Sequence, residues 1–107
     1  MEQKMLSLLG IARRSGRVSL GADAAKEALA KHRSRLLLLA ADVSERSEKA
    51  MKTAADGTGV PVLRTMVPMD RLGAAVGKPG TGILSVNDIG FAEKIQTLLV
   101  NGQEECL

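Results

Sequence analysis

Apolar residues return at Met5, Leu8, Leu9 and Ala12, with Leu6 and Ile11 beside them, before the chain reaches Arg13, Arg14 and Gly16. That i, i+3, i+4, i+7 spacing predicts a half-buried helix over 2–14, stopped at Gly16, with its two arginines in the last turn where the dipole favours cations. Arg17-Val18-Ser19-Leu20 is long enough only for an edge strand, and Gly21 ends it. A second helix follows, with Ala25, Ala28 and Leu29 inward, Asp23 as its cap candidate, and Lys31, His32, Arg33 and Arg35 gathered at its end. The run Leu36-Leu37-Leu38-Leu39-Ala40-Ala41 is then apolar on both faces, the pattern of a fully buried strand. Such a strand needs helices on both sides, and ligands of open α/β sheets collect at the carboxyl ends of strands, here at Asp42.

Beyond Asp42, Ser44 is the plausible cap of a third helix whose buried face is Ala50, Met51, Ala54 and Ala55. Asp56-Gly57-Thr58-Gly59 ends it, and Val60 to Met66 predicts a strand with Pro61 near its start. Pro68 opens a short helix through Val76, the breaker-rich loop Gly77 to Gly82 follows, and Ile83 to Val86 is the last strand. Phe91, Ala92, Ile95, Leu98 and Leu99 close the chain as an amphipathic helix over 89–100. Helices and strands alternate throughout. The expectation is an α/β fold: a three-layer α/β/α sandwich around a small mixed, mostly parallel sheet of about four strands, in one domain over 1–102 with 103–107 as a disordered tail.

Composition narrows the function classes. The chain has 107 residues, 45% of them hydrophobic, so one domain with a real core is expected. No apolar run approaches the roughly 20 residues of a membrane span, and the amino terminus lacks the order of a secretory leader, which predicts a cytoplasmic protein. Cys106 stands alone near the end, outside any disulfide framework. Charge is uneven: residues 1–35 hold eight Lys or Arg against three acids, and the remainder seven against nine. A basic third of a small domain suits phosphate backbones.

Enzyme constellations are thin. His32 is the single histidine and lies in a basic cluster, and no set of His, Cys and carboxylates has metal-ligand spacing, so no catalysis, metal or cofactor is expected. Gly73-Ala74-Ala75-Val76-Gly77-Lys78-Pro79 is one spacer short of a P-loop, with Pro79 where Ser or Thr would hold magnesium. Gly57-Thr58-Gly59 follows a helix and lacks a third glycine. Phe91 is the sole aromatic, so there is no platform on which bases could stack. A nucleic-acid ligand would be read through backbone, groove edges and shape.

Ile11-Ala12-Arg13-Arg14-Ser15-Gly16-Arg17-Val18-Ser19-Leu20-Gly21, the Leu36 to Val43 strand and exit, Val60-Pro61-Val62, Leu72 to Lys78 and Asp88-Ile89-Gly90-Phe91-Ala92 together resemble the bacterial YlxQ-type branch of the ribosomal protein L7Ae family. The resemblance covers nearly the whole chain. It implies a three-layer fold, no catalysis and no small-molecule substrate, and binding of structured RNA, often kink-turns, in translation-related particles, with ribosomal RNA among the candidates and a monomer as the working state. In kink-turn binders of the family a glycine, a spacer and an Asn-Glu-x-x-Lys motif open the second helix. Counted from Gly21, those places hold Asp23, Ala24 and Glu27, of which only Asp23 keeps a comparable side chain, while Lys26 stands one step away. The family's other contact is the loop before the last strand, here carrying Lys78, Gly80 and Thr81, with Ala40 to Val43 expected as floor. Arg13, Arg14 and Arg17, leading to Gly21, are expected as backbone clamps of the same surface. The rival expectation is a protein-interaction adaptor that kept the fold and lost kink-turn binding.

Overall fold

Leu36–Leu39 lie at the centre of the computed structural model, which describes residues 2–105, and all four side chains have 0% exposure. The elements in chain order are α1 (Glu2–Arg14), β1 (Val18–Leu20), α2 (Ala22–Ala30), β2 (Leu36–Leu39), α3 (Glu45–Ala55), β3 (Val62–Arg64), α4 (Met69–Ala75), β4 (Ile83–Val86) and α5 (Ile89–Glu105). This is the alternation the periodicities predict. Burial on both faces of β2 follows from its neighbours: α1 packs on α4 and α5, α2 packs on α3, and the two groups cover opposite faces of the sheet. Met5 and Leu9 of α1, Ala25 and Leu29 of α2, Met51 of α3, Leu72 of α4 and Ile95 of α5 close one continuous core around the leucines.

The sheet is mixed, but its balance differs from expectation. Strand order is β1-β4-β2-β3, and only β2–β3 is parallel; β4 pairs antiparallel with both β1 and β2. The helical crossovers do keep β1, β2 and β3 pointing one way, as crossover geometry requires. The last strand then inserts between the first two in the opposite sense, and this turns two of the three pairings antiparallel.

Insertion also buries polar groups. Ser19 of β1, Ser85 of β4 and Leu37 of β2 share one rung. Ser85 is fully buried; its hydroxyl donates to Asn87 Oδ1 at 2.6 Å and accepts from the Ser34 hydroxyl at 2.7 Å, while Asn87 Nδ2 donates to Ser19 Oγ at 2.9 Å. Each member is satisfied by another, as burial demands. Smaller departures concern boundaries. Ala50 is exposed, so α3 buries Met51 and Ala55 with Ala54 half-buried; β3 is trimmed to Val62–Arg64; and α5 continues to Glu105, into the segment expected as a tail, with Cys106 and Leu107 outside the described residues.

Candidate nucleic-acid interface

At the carboxyl ends of β1 and β2 the chain turns three times within a small space. The Gly21 N–H donates to the Ile83 carbonyl and the Ala40 N–H to the Gly82 carbonyl, both at 2.8 Å, so the start of α2, the exit of β2 and the loop before β4 are tied together. Between them lies a cleft of about 470 Å3 lined by Gly21, Ala22, Asp42, Val43, Ser44, Ser47, Met69 and the run Lys78 to Ile83. Glycine is required at two of these places. Gly21 enters α2 with φ +93°, and Gly80 has φ +83°, both in the region that penalises a Cβ. Gly73 of α4 is required for space: a Cβ there would stand 2.6 Å from the Lys78 carbonyl oxygen and 2.9 Å from the Gly80 nitrogen. Helix and loop therefore touch backbone to backbone, and the Lys78 N–H donates to the Gly73 carbonyl at 2.9 Å.

The amino ends of three helices border this cleft, and they differ in how their orphan amides are used. In α3 the Ser44 hydroxyl accepts from the Ser47 N–H at 3.1 Å. In α4 the Asp42 carboxylate accepts from the Met69 N–H at 2.9 Å. At α2 the capping residue is Gly21, which has no side chain to offer, and no side-chain cap is present. The first amides of α2 thus meet the cleft with the positive end of their dipole uncompensated by a cap, the arrangement that favours an anionic or carbonyl-bearing ligand. Asp23, expected as the cap, sits in the first turn instead.

One residue that sequence reasoning passed over holds the floor. The Arg64 guanidinium, at the end of β3, donates through Nη1 to the carbonyls of Ala41 at 2.8 Å and Val43 at 2.9 Å, with Ala40 at 3.3 Å, and through Nη2 to Glu48 Oε1 at 2.9 Å. Its fork matches these acceptors as a lysine could not. Hydrogen bonding from Arg64 is the leading cause that holds the Glu48 carboxyl below its usual range, opposed by desolvation. A lone arginine after two apolar residues carries no local signal of such a task.

The expected site residues divide. Gly21, Lys78, Gly80 and Thr81 line the cleft. Thr81 is buried, and its hydroxyl donates to the Lys78 carbonyl at 2.7 Å, so its side chain shapes the loop from within. Lys26 is exposed one turn beyond the cleft-lining Ala22, on the same side of α2. Asp23 and Glu27 are exposed on the neighbouring row; Glu27 is bound by Lys31 at 2.6 Å, whose hydrogen bond is the main cause of its lowered pKa. Arg13, Arg14 and Arg17 are exposed but absent from the cleft. The Arg17 carbonyl accepts from the Asn87 N–H, beyond the end of β4 that lies farthest from Gly82. Three residues of β1 carry the chain from one end of the sheet to the other, so closeness to Gly21 in sequence becomes opposition in space.

Comparison with known proteins gives relatives along most of the chain. The model of the ribosomal protein L7Ae/L30e/S12e/Gadd45 family matches residues 3–96. The RNA-binding protein YlxQ of Bacillus subtilis is 32% identical over 92 residues, which cover 86% of this chain and 91% of that protein. Among solved structures, a Bacillus halodurans protein of unknown function superposes with a TM-score of 0.84 at 28% identity, covering 90% of this chain and 96% of the other. A 15.5 kD RNA-binding protein of Giardia lamblia superposes at 0.75 with 19% identity, over 94% of this chain and 88% of its own, a likeness of fold.

Proposed function

We propose that this chain, which belongs to the ribosomal protein L7Ae/L30e/S12e/Gadd45 family, is a non-catalytic RNA-binding protein that takes a structured, kink-turn-like RNA into the cleft between α2 and the glycine loop. The observation that carries the reading is the unsatisfied start of α2. Pro68, the capping residue of α4, offers no side-chain cap either, but Asp42 takes the Met69 N–H there; α2 is the helix end around the cleft whose first amides meet no side-chain acceptor, and it is framed by a loop whose glycines let backbone approach backbone. The RNA-binding relative matched over 92 residues supports the ligand class. Charge inside the cleft is close to balanced, Lys78 against Asp42. Recognition there rests on amides, shape and hydrogen bonds, which suits a bent RNA with exposed base edges better than a straight duplex.

Gel shifts against a kink-turn RNA and a matched straight duplex test this. The kink-turn is expected to bind more tightly, with Lys78→Glu reducing the preference; equal affinity for both RNAs in the unsubstituted protein would sink the kink-turn reading. A second reading, a protein-interaction adaptor, is favoured by one observation only: Ala24 and the Lys31-bound Glu27 stand where kink-turn binders of the family carry Glu and Lys. Absence of binding to either RNA at low salt would favour it.

A further inference from the structure

The arginines that the cleft does not use collect at the other end of the molecule. Val18 and Leu36 both stand opposite Val86, so Arg17 and Arg35 share the next rung, on either side of Asn87 and about 10 Å apart across two strand spacings. Backbone bonds lock this rung: the Asn87 N–H donates to the Arg17 carbonyl at 2.7 Å, and the Arg35 N–H to the Val86 carbonyl at 2.8 Å. The ends of two helices fold onto it. The Arg17 N–H donates to the Ala12 carbonyl of α1, and the Arg33 N–H to the Ala28 carbonyl of α2, which brings Arg13, Arg14 and Arg33 to the same pole.

All five arginines are exposed, and among the described residues none makes an ion pair, whereas Lys31, Lys52 and Arg64 are each paired with a glutamate. The acids near this end are Asp88, whose carboxylate accepts from the Phe91 N–H at the start of α5, exposed Asp56 in the turn before β3, and Glu27, which feels the charge of Arg33 but is bound by Lys31. Complementing helix dipoles accounts for Arg13 and Arg14 in the last turn of α1 and for cations just past the end of α2. It does not account for Arg17 and Arg35, which stand at strand entries. Arg35 also borders a groove of about 530 Å3 with Thr58, Gly59 and Gln96, so the Gln96 amide lies beside the charge. The capacity to neutralise phosphates is thus concentrated away from the cleft.

We propose that the pole formed by Arg13, Arg14, Arg17, Arg33 and Arg35 is a second RNA-binding surface, which holds the phosphate backbone of a duplex segment other than the one in the cleft. The two surfaces face away from each other along the strands: Arg35 to Ala40 spans about 16 Å of extended chain. A straight helix lying on one end points away from the other, so the protein joins two RNA segments. This goes beyond the cleft reading and stands on separate residues.

The test measures binding of a kink-turn RNA and a straight duplex over a range of KCl concentrations by fluorescence anisotropy, with the unsubstituted protein, Arg33→Gln/Arg35→Gln, Arg33→Lys/Arg35→Lys and Lys78→Glu. The glutamine pair is expected to lower the slope of log K against log salt by about 1.5–2 for both RNAs, and the lysine pair to restore it. A tethered duplex that has captured the protein is expected to recruit labelled kink-turn RNA, and the glutamine pair to abolish that sandwich. Unchanged slopes in the glutamine pair overturn the proposal and leave the cleft reading standing. Loss of kink-turn preference in Lys78→Glu alone speaks only to the cleft. Competition by poly-glutamate as strong as by RNA, lost in the glutamine pair, overturns the proposal in favour of an acidic protein partner.

Discussion

Arg64 shows how much a single side chain does for this site. It donates to the Ala41 and Val43 carbonyls and shares that of Ala40 with the Val43 N–H, so three backbone acceptors converge on one guanidinium. Arg64→Ala is expected to cost about 2 kcal/mol in urea unfolding, and to weaken RNA binding further because the cleft floor loses its anchor. Its partner Glu48 makes the effect pH-dependent. The folded pKa lies below the usual 4.5, so above that value the ionised carboxylate contributes fully, and as pH falls through the folded value the contribution drains away. Melting temperatures at pH 7 and pH 3.5 are therefore expected to differ less in Glu48→Gln than in the unsubstituted protein; an equal difference would show that the pair does not govern acid stability. None of this was legible in sequence, because Arg64 meets its acceptors across 21–24 residues of chain. Two serines carry a local pattern that points away from their surroundings. Val18-Ser19-Leu20 and Leu84-Ser85-Val86 alternate as strands with one wet face do, yet Ser85 is fully buried, since helices cover both faces and the hydroxyls satisfy one another.

Among elements, the loop before β4 and α4 act as one unit, and their joint is Gly73. Gly73→Ala forces a Cβ to within 2.6 Å of the Lys78 carbonyl oxygen, so the loop must move. The expected cost is about 1–3 kcal/mol by chemical denaturation, with reduced RNA affinity. A variant with unchanged stability would mean that helix and loop separate freely. The opening turn of α2 makes the converse prediction. Ala24→Glu with Glu27→Lys restores the residue types of kink-turn binders and frees Lys31 from its acid, at a helix cost of about 0.5 kcal/mol for like charges at i, i+4. Tighter kink-turn binding is expected by anisotropy with circular dichroism unchanged; no gain would place RNA recognition outside α2. Element order, both glycine punctuations and the burial of Leu36–Leu39 could be read in the sequence because each is a local pattern. Strand order could not. Nothing within Ile83–Val86 says that it inserts between β1 and β2, and that one event sets Arg17 and Arg35 on a common rung, on either side of Asn87.

At the scale of the molecule, the fold separates the two tasks that RNA binding needs. Backbone amides and glycines gather at one end of a four-stranded sheet and unpaired arginines at the other, with a core of leucines holding the distance between them. Because ligand and fold are linked, RNA bound only to the native state must raise stability by RT ln(1 + [L]/Kd), about 2.7 kcal/mol at a hundredfold excess over Kd. For a domain of this size that corresponds to about 10–20 °C in melting temperature. The uncapped amides of Ala22, Asp23 and Ala24 are where protection should appear, since they lack an intrahelical partner in the free protein. Hydrogen exchange with saturating kink-turn RNA is expected to slow these amides and those of Gly77 to Gly82. A thermal shift without slowing at either segment would place the RNA wholly on the arginine pole, and so would separate the two surfaces in one measurement.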